Sequence, residues 1–136
     1  MLEAGIQQLL AANGGVQAVI GTRIYPVLVP EDVTYPCASF QVISDVPEYL
    51  LDGTQGIGTT RIQVDTWSGG ASNATYAAAK AAQVAIRAVL ETFRGALPDG
   101  TQIAGIFVAN ALDTFEQDAR AYRTTTDYMV MYYPAA

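Results

Sequence analysis

The chain has no histidine, a single cysteine (Cys37) and a single lysine (Lys80). Without histidine the commonest general base and metal ligand is missing. Ser/His/Asp and Cys/His nucleophilic arrangements cannot be built. A Ser-Lys mechanism would have to use Lys80, which the helical pattern around it places on a solvated helix surface. Cys37 has no activating partner nearby in sequence and reads as a small core residue. One cysteine allows neither an intrachain disulfide nor a thiolate metal cluster.

Carboxylates form two clusters, Asp45, Glu48 and Asp52, then Asp113, Glu116 and Asp118. Hard oxygen donors of this kind hold Ca²⁺ or Mg²⁺ when they alternate in a defined loop. Neither cluster has that alternation, so both read as loop charge, with no metal or cofactor expected. Gly53, Gly56 and Gly58 precede a strand rather than joining a strand to a helix, which is the wrong place for a phosphate cradle. They read as a flexible loop. Tyr122, Tyr128, Tyr132 and Tyr133 could stack on single-stranded nucleic acid. With only Arg120 and Arg123 close to them, core or interface packing is the better reading. Asn73-Ala74-Thr75 matches a glycosylation sequon, which has meaning only in a secreted chain. The residues therefore point away from an enzyme.

Charge and composition narrow the remaining classes. The formal charge of −6 carries no basic stripe, which argues against a nucleic-acid reader. It leaves room for an acidic wall past which DNA slides. The apolar fraction of 51% is that of a chain able to bury a core, and 136 residues suit one domain. The charged fraction of 15% is low against the usual ~25% and suggests a surface partly covered by neighbours. No apolar run approaches the roughly 18 residues that span a bilayer. Glu3 and the lack of an early basic residue argue against a signal peptide. A soluble protein is expected.

The elements that must hold these residues follow from periodicity. Leu2, Ile6, Leu9 and Leu10 mark a short amphipathic helix over Leu2–Ala12, stopped by Asn13-Gly14-Gly15, with a further turn at Val16–Ile20. Arg23–Val29 reads as a short edge segment bent by Pro26. Ala38, Phe40 and Val42 alternate with Ser39 and Gln41 in a strand after Tyr35-Pro36, a bond with cis potential. Asp45–Gly58 reads as a protruding loop or ribbon carrying Tyr49, Leu50 and Leu51. Thr59–Trp67 is a strand with Ile62 and Val64 on one face and Arg61, Gln63 and Asp65 on the other. Ser72 or Asn73 would cap a long alanine-rich helix over Thr75–Arg94, whose stripe is Ala79, Ala82, Ile86, Val89, Leu90 and Phe93. Pro98-Asp99-Gly100 is a turn. Thr101–Val108 begins a strand that continues irregularly to Phe115. Gln117–Ala121 is a turn, and Tyr122–Tyr133 is a last strand, apolar on both rows near its end and so central or covered twice. The expected fold class is α+β: a mainly antiparallel β-sheet with one long α-helix packed across one face and a short N-terminal helix.

Four pieces of this pattern resemble the bacteriophage tail-completion family, the tail terminators or tail-to-head joining proteins. They are the first helix leading into Gly21-Thr22-Arg23-Ile24-Tyr25-Pro26; Tyr35-Pro36-Cys37-Ala38-Ser39-Phe40-Gln41; the Arg61–Trp67 strand with its helix; and Tyr122-Arg123-Thr124-Thr125-Thr126-Asp127-Tyr128. The resemblance spans nearly the whole chain and implies that residues 1–136 form one tail-terminator-like domain of a virion tail or neck, assembled in the host cytoplasm. It implies a homo-oligomer, typically a hexameric ring, that stops tail-tube polymerisation. Its partners would be the tail tube protein and the head-tail connector or stopper protein, with DNA passing through the lumen unread and no membrane involved. The interface residues expected on this reading are Tyr49, Leu50 and Leu51 on the ribbon, with Asp113 and Glu116 on a rim or lumen surface. A stopper, a tube subunit or a non-enzymatic α+β binding module are the alternatives.

Overall fold

A computed structural model of the chain describes residues 2–69 and 75–134. The chain begins with two helices, α1 (Leu2–Ala12) and α2 (Gly14–Ile20), and a short strand β1 (Ile24–Pro26). The long strands β2 (Cys37–Tyr49) and β3 (Gln55–Ser68) follow, then helix α3 (Tyr76–Leu90). A two-residue strand β4 (Gly95–Ala96) and the long strands β5 (Gln102–Glu116) and β6 (Ala121–Tyr133) complete it. All six strands lie in one sheet of order β1-β2-β3-β6-β5-β4. Every pairing is antiparallel except the parallel one between β1 and β2.

The fold is mixed α and β with a mainly antiparallel sheet, but its helices number three among the described residues, of 11, 7 and 15 residues. One long and one short helix is therefore not what forms. Asn13 explains the extra one. Its side chain accepts a hydrogen bond from the Val16 amide at 3.1 Å, so the residue that stops α1 also starts α2. The alanine-rich helix is shorter than Thr75–Arg94 because Glu91 is extended and Thr92 takes a left-handed φ of 66°. The Thr92 amide then donates to the Ile106 carbonyl of β5, which draws the chain off the helix axis. Thr75 caps α3 by accepting from Ala78 N at 3.1 Å. The caps expected at Ser72 and Asn73 lie outside the described residues.

The ribbon expectation needs a similar adjustment. Most of Asp45–Gly58 is strand: β2 runs to Tyr49 and β3 starts at Gln55, leaving a tight connection at residues 50–54. Two register shifts, at Val42/Ser44 and at Pro47/Tyr49, absorb the irregular residues without ending the pairing. The irregularity expected in β5 is present as shifts at Ile103/Gly105 and Val108/Asn110. The Tyr35-Pro36 bond is cis.

The helices cover one face of the sheet. Ile6, Leu10, Val16 and Ile20 from the first two, and Ala82, Ile86 and Leu90 from α3, pack on Phe40, Ile62, Val64, Ile106, Tyr128 and Val130. Ala79 and Ala82 are fully buried, so α3 approaches the strands closely. That approach is close enough for Thr66 Oγ1 to donate to the Ala79 carbonyl at 2.9 Å and for Gln83 Nε2 to donate to Thr126 Oγ1 at 2.8 Å. Both polar side chains are buried, and these bonds offset the cost of removing them from water. β6 is central between β3 and β5, as its two apolar rows lead one to expect.

Candidate assembly surfaces

The face of the sheet turned away from the helices mixes charged and polar side chains with a few large apolar ones. Paired positions across strands share a face, and four rows show what it carries. Trp67 stands level with Arg123, Asp65 with Thr125 and Leu112, Gln63 with Asp127 and Asn110, and Arg61 with Met129 and Phe107. The charged members of these rows bond to one another and to Gln63 and Thr125. Arg61 reaches Asp127 at 2.6 Å, and Arg123 reaches Asp65 at 3.0 Å and Glu116 at 3.1 Å. Asp65 is the hub. It is only 6% exposed and also accepts from Thr125 Oγ1 at 2.7 Å and Gln63 Nε2 at 3.1 Å. The Arg123 guanidinium lies 5.0 Å from the Trp67 ring centroid, and the Trp67 indole donates to Ser39 Oγ at 3.1 Å. Burial opposes the charge on Arg123, but Asp65 and Glu116 outweigh it and raise its pKa. Two buried atoms of this row, Arg123 Nε and Asp127 Oδ1, have no hydrogen-bond partner among the described residues. The alternation of Arg61, Gln63 and Asp65 was readable in the sequence. The facing alternation of Arg123, Thr125 and Asp127 was readable as well, but nothing local says that the two rows meet.

Tyr49, Leu50 and Leu51 sit at the tip of the β2–β3 ribbon, where Tyr49 is 67% exposed, Leu50 58% and Leu51 fully so. Val46 and Ile43 extend this apolar exposure down β2. Asp113 and Glu116 lie on β5 and do not point together. Asp113 faces α3, accepting a short hydrogen bond from the Tyr76 hydroxyl and an ion pair from Lys80 at 3.4 Å. Glu116 faces the polar side and pairs with Arg123. The first carboxylate cluster is also dispersed. Asp45 accepts from the Thr60 and Tyr132 hydroxyls at 2.9 and 2.8 Å, whereas Asp52 closes the ribbon turn through Thr54. Thr54 holds the Asp52 carboxyl below its usual range, through its side chain and then its amide. Burial pushes the Cys37 thiol up to about 11, the opposite of what a nucleophile needs.

Tyr128 and Tyr132 are buried core residues, Tyr133 is half exposed, and Tyr122 packs edge-on against Phe115 at 4.9 Å. Gly58 is there because a Cβ would come within 2.8 Å of the Tyr132 ring. An open apolar groove of about 580 Å³ runs between α1 and β1–β2, lined by Ala4, Pro26, Val27, Phe40 and Val42. Beside it Val27 takes a left-handed φ of 61°, unusual for a β-branched residue. No helix among the described residues is long and apolar enough to cross a membrane.

Comparison with known proteins bears on the family and the fold. The sequence model of the tail completion protein gp17 family matches residues 4–133. A chain in a solved structure of the virion of a native gene transfer agent particle superposes with a TM-score of 0.75 at 21% identity. The match covers 98% of this chain and 95% of that one. At that identity the likeness concerns the fold. No curated protein matches.

Proposed function

Since this chain belongs to the tail completion protein gp17 family, its role is a structural one in a phage-type tail, and we propose the finer function within it. The protein closes the head-proximal end of the tail tube as a ring, typically of six copies, stops tube growth and joins the tail to the connector or stopper of the head. It acts as one tail-terminator-like domain over residues 1–136, in the neck of the virion, after assembly in the host cytoplasm. It catalyses no reaction. DNA passes through the ring opening without being read, which the charge of −6 favours.

The observation that carries this reading is the exposed apolar tip of the β2–β3 ribbon. Tyr49, Leu50 and Leu51 are costly in water on an isolated subunit and gain their burial only against a neighbouring subunit or the tube. Asp113 and Glu116 belong to the proposed interface through the outer strand that carries them. The test is electron microscopy of the purified chain, alone and mixed with isolated tails and heads. Six-fold rings, or new density capping the head-proximal tube end, are the expected result. A monodisperse monomer that decorates neither tails nor heads would overturn the proposal.

A further inference from the structure

The sheet ends in two long strand edges, each covered over only part of its length. On β2 the parallel strand β1 covers Ala38, Ser39 and Phe40. On β5 the short strand β4 covers Gln102 and Ile103, and Thr92 caps Ile106. No strand among the described residues pairs with the outer side of β2 beyond Phe40 or of β5 beyond Ile106. Unpaired edges of that length are templates for another strand. Each carries exposed large apolar side chains, Ile43 and Val46 on β2, Phe107 and Leu112 on β5.

The two edges are complementary. β2 pairs antiparallel with β3, β3 with β6, and β6 with β5, so β2 and β5 run in opposite directions. Setting β5 of one copy beside β2 of the next therefore continues the antiparallel alternation. The free stretches are also staggered. Ser44 and Phe107 share a row, and from it the free part of β2 extends to one end of the sheet while that of β5 extends to the other.

We infer, on the basis of the ring reading above, that copies of this chain join edge to edge, the segment of β5 around Ala111 pairing antiparallel with the segment of β2 around Asp45 of the next copy. Matching faces restrict the register to every second residue, because a one-residue slip would turn helix-side residues to the polar side. Asp45 and Ala111 both belong to helix-side rows, those of Val130 and Thr126, and Ser44 and Leu112 both belong to polar-side rows. Ser44 then opposes Leu112, Asp45 opposes Ala111 and Val46 opposes Asn110. Of the two neighbouring registers that preserve the faces, one would set Asp45 against Asp113, two carboxylates in direct opposition, and the other would centre the ladder on the irregularity at Val108/Asn110. Pro47, which cannot donate, bounds the ladder at its far end.

The stagger has a further consequence. The rows of Asp45 and Ala111 are four residues apart on β6, or about 13 Å at ~3.3 Å per residue. Each copy contributes four long strands, about 19 Å of width at ~4.8 Å per strand. Closing copies into a ring with that offset tilts the strands by about 35°, within the ~35–45° usual for closed barrels. The helices need the larger circumference and lie outside, so the polar face with Arg61, Asp65 and Arg123 lines the opening.

The test is a double variant, Ser44→Cys with Leu112→Cys, in a Cys37→Ala background. Paired residues directly opposite have the Cα spacing that a disulfide needs. Mild oxidation of the full chain, in solution and on isolated tails, is expected to give a covalent ladder ending at the ring stoichiometry. Neither single variant should give more than background dimer. Hydrogen exchange of the unmodified chain should slow at residues 44–46 and 110–112 on assembly. Rings that form without the ladder and without that protection would overturn edge pairing while leaving the ring itself standing. Absence of any ring, free or on tails, would overturn both.

Discussion

The two faces of this sheet are built on the same strands and obey different rules. On the helix side, Ile62, Val64, Tyr128 and Val130 meet Ala82, Ile86 and Leu90, and the few polar groups, Thr66, Thr126 and Gln83, are bonded inside the layer. On the other side, Arg61, Asp65, Arg123 and Asp127 form ion pairs with no helix or strand above them among the described residues. Apolar burial gains from every atom removed from water and tolerates small shifts. An ion-paired ladder gains from geometry and from completeness, because removing one member strands another. The first face therefore accounts for folding, and the second for a surface of fixed shape and charge.

This contrast can be broken in order of expected effect. Ile86→Ala empties a fully buried site under α3 and should destabilise the chain by about 3 kcal/mol in chemical denaturation, with little dependence on salt. A loss below about 1 kcal/mol would mean that the helix layer is less tightly packed than described. Asp65→Ala leaves Arg123 and Thr125 without their shared acceptor and should cost about 2 kcal/mol. Asp65 is nearly buried, so added salt should recover only a small part of that loss. A large recovery in high salt would show that the pair is solvent-screened rather than held within the face.

Alkali should act through burial rather than through the ion-pair ladder. The Cys37 thiol is raised from 9.0 to about 11 by burial, with Arg23 opposing. The folded state therefore favours the neutral thiol, whose contribution is complete below pH 9 and is lost as pH rises towards 11. Linkage puts that loss on the order of 2 kcal/mol. Cys37→Ala should flatten the stability profile over that window, and an unchanged slope would show that the thiol is not the group responsible. Tyr128, also raised by burial, extends the decline above pH 10. The smallest effect on the isolated subunit belongs to Tyr49→Ala, within about 0.5 kcal/mol for so exposed a side chain. Its effect on ring formation or tail joining should be large, and intact assembly would remove the ribbon tip from the interface.

Much of the helix-side face was legible in the sequence. The row Tyr128, Val130 and Tyr132 and the stripe Ala79, Ala82, Ile86 and Leu90 name core residues directly, because burial imposes its period on the chain. The extra helix was less legible, since Asn13-Gly14-Gly15 stops one helix and starts another with the same residues. Asp45–Gly58 reads as either a loop or a ribbon because Pro47 and three glycines depress strand propensity, yet two register shifts keep the pairing intact. The polar ladder was legible only as separate alternations. Asp65 and Arg123 are 58 residues apart, and no local signal records which strands become neighbours. The parallel placement of β1 and the order of the sheet were hidden for the same reason.

The central position of β6 reaches beyond the folded state. Among the described residues β3 and β5 are joined in the sheet only through it, and it follows both in the chain. After Ser68 leaves the ribosome, β3 waits for the 53 residues that lead to Ala121. At ~5–20 residues per second that delay is roughly 3–10 s. Until then the two halves of the sheet are a pair of unjoined hairpin fragments, and the apolar rows beneath α3 remain open to water. Synthesis interrupted anywhere before β6 yields a chain without a completed core, a substrate for proteases rather than a subunit able to enter the tail. The last strand is therefore the element on which the completed core depends, and with it the placement of both outer strands.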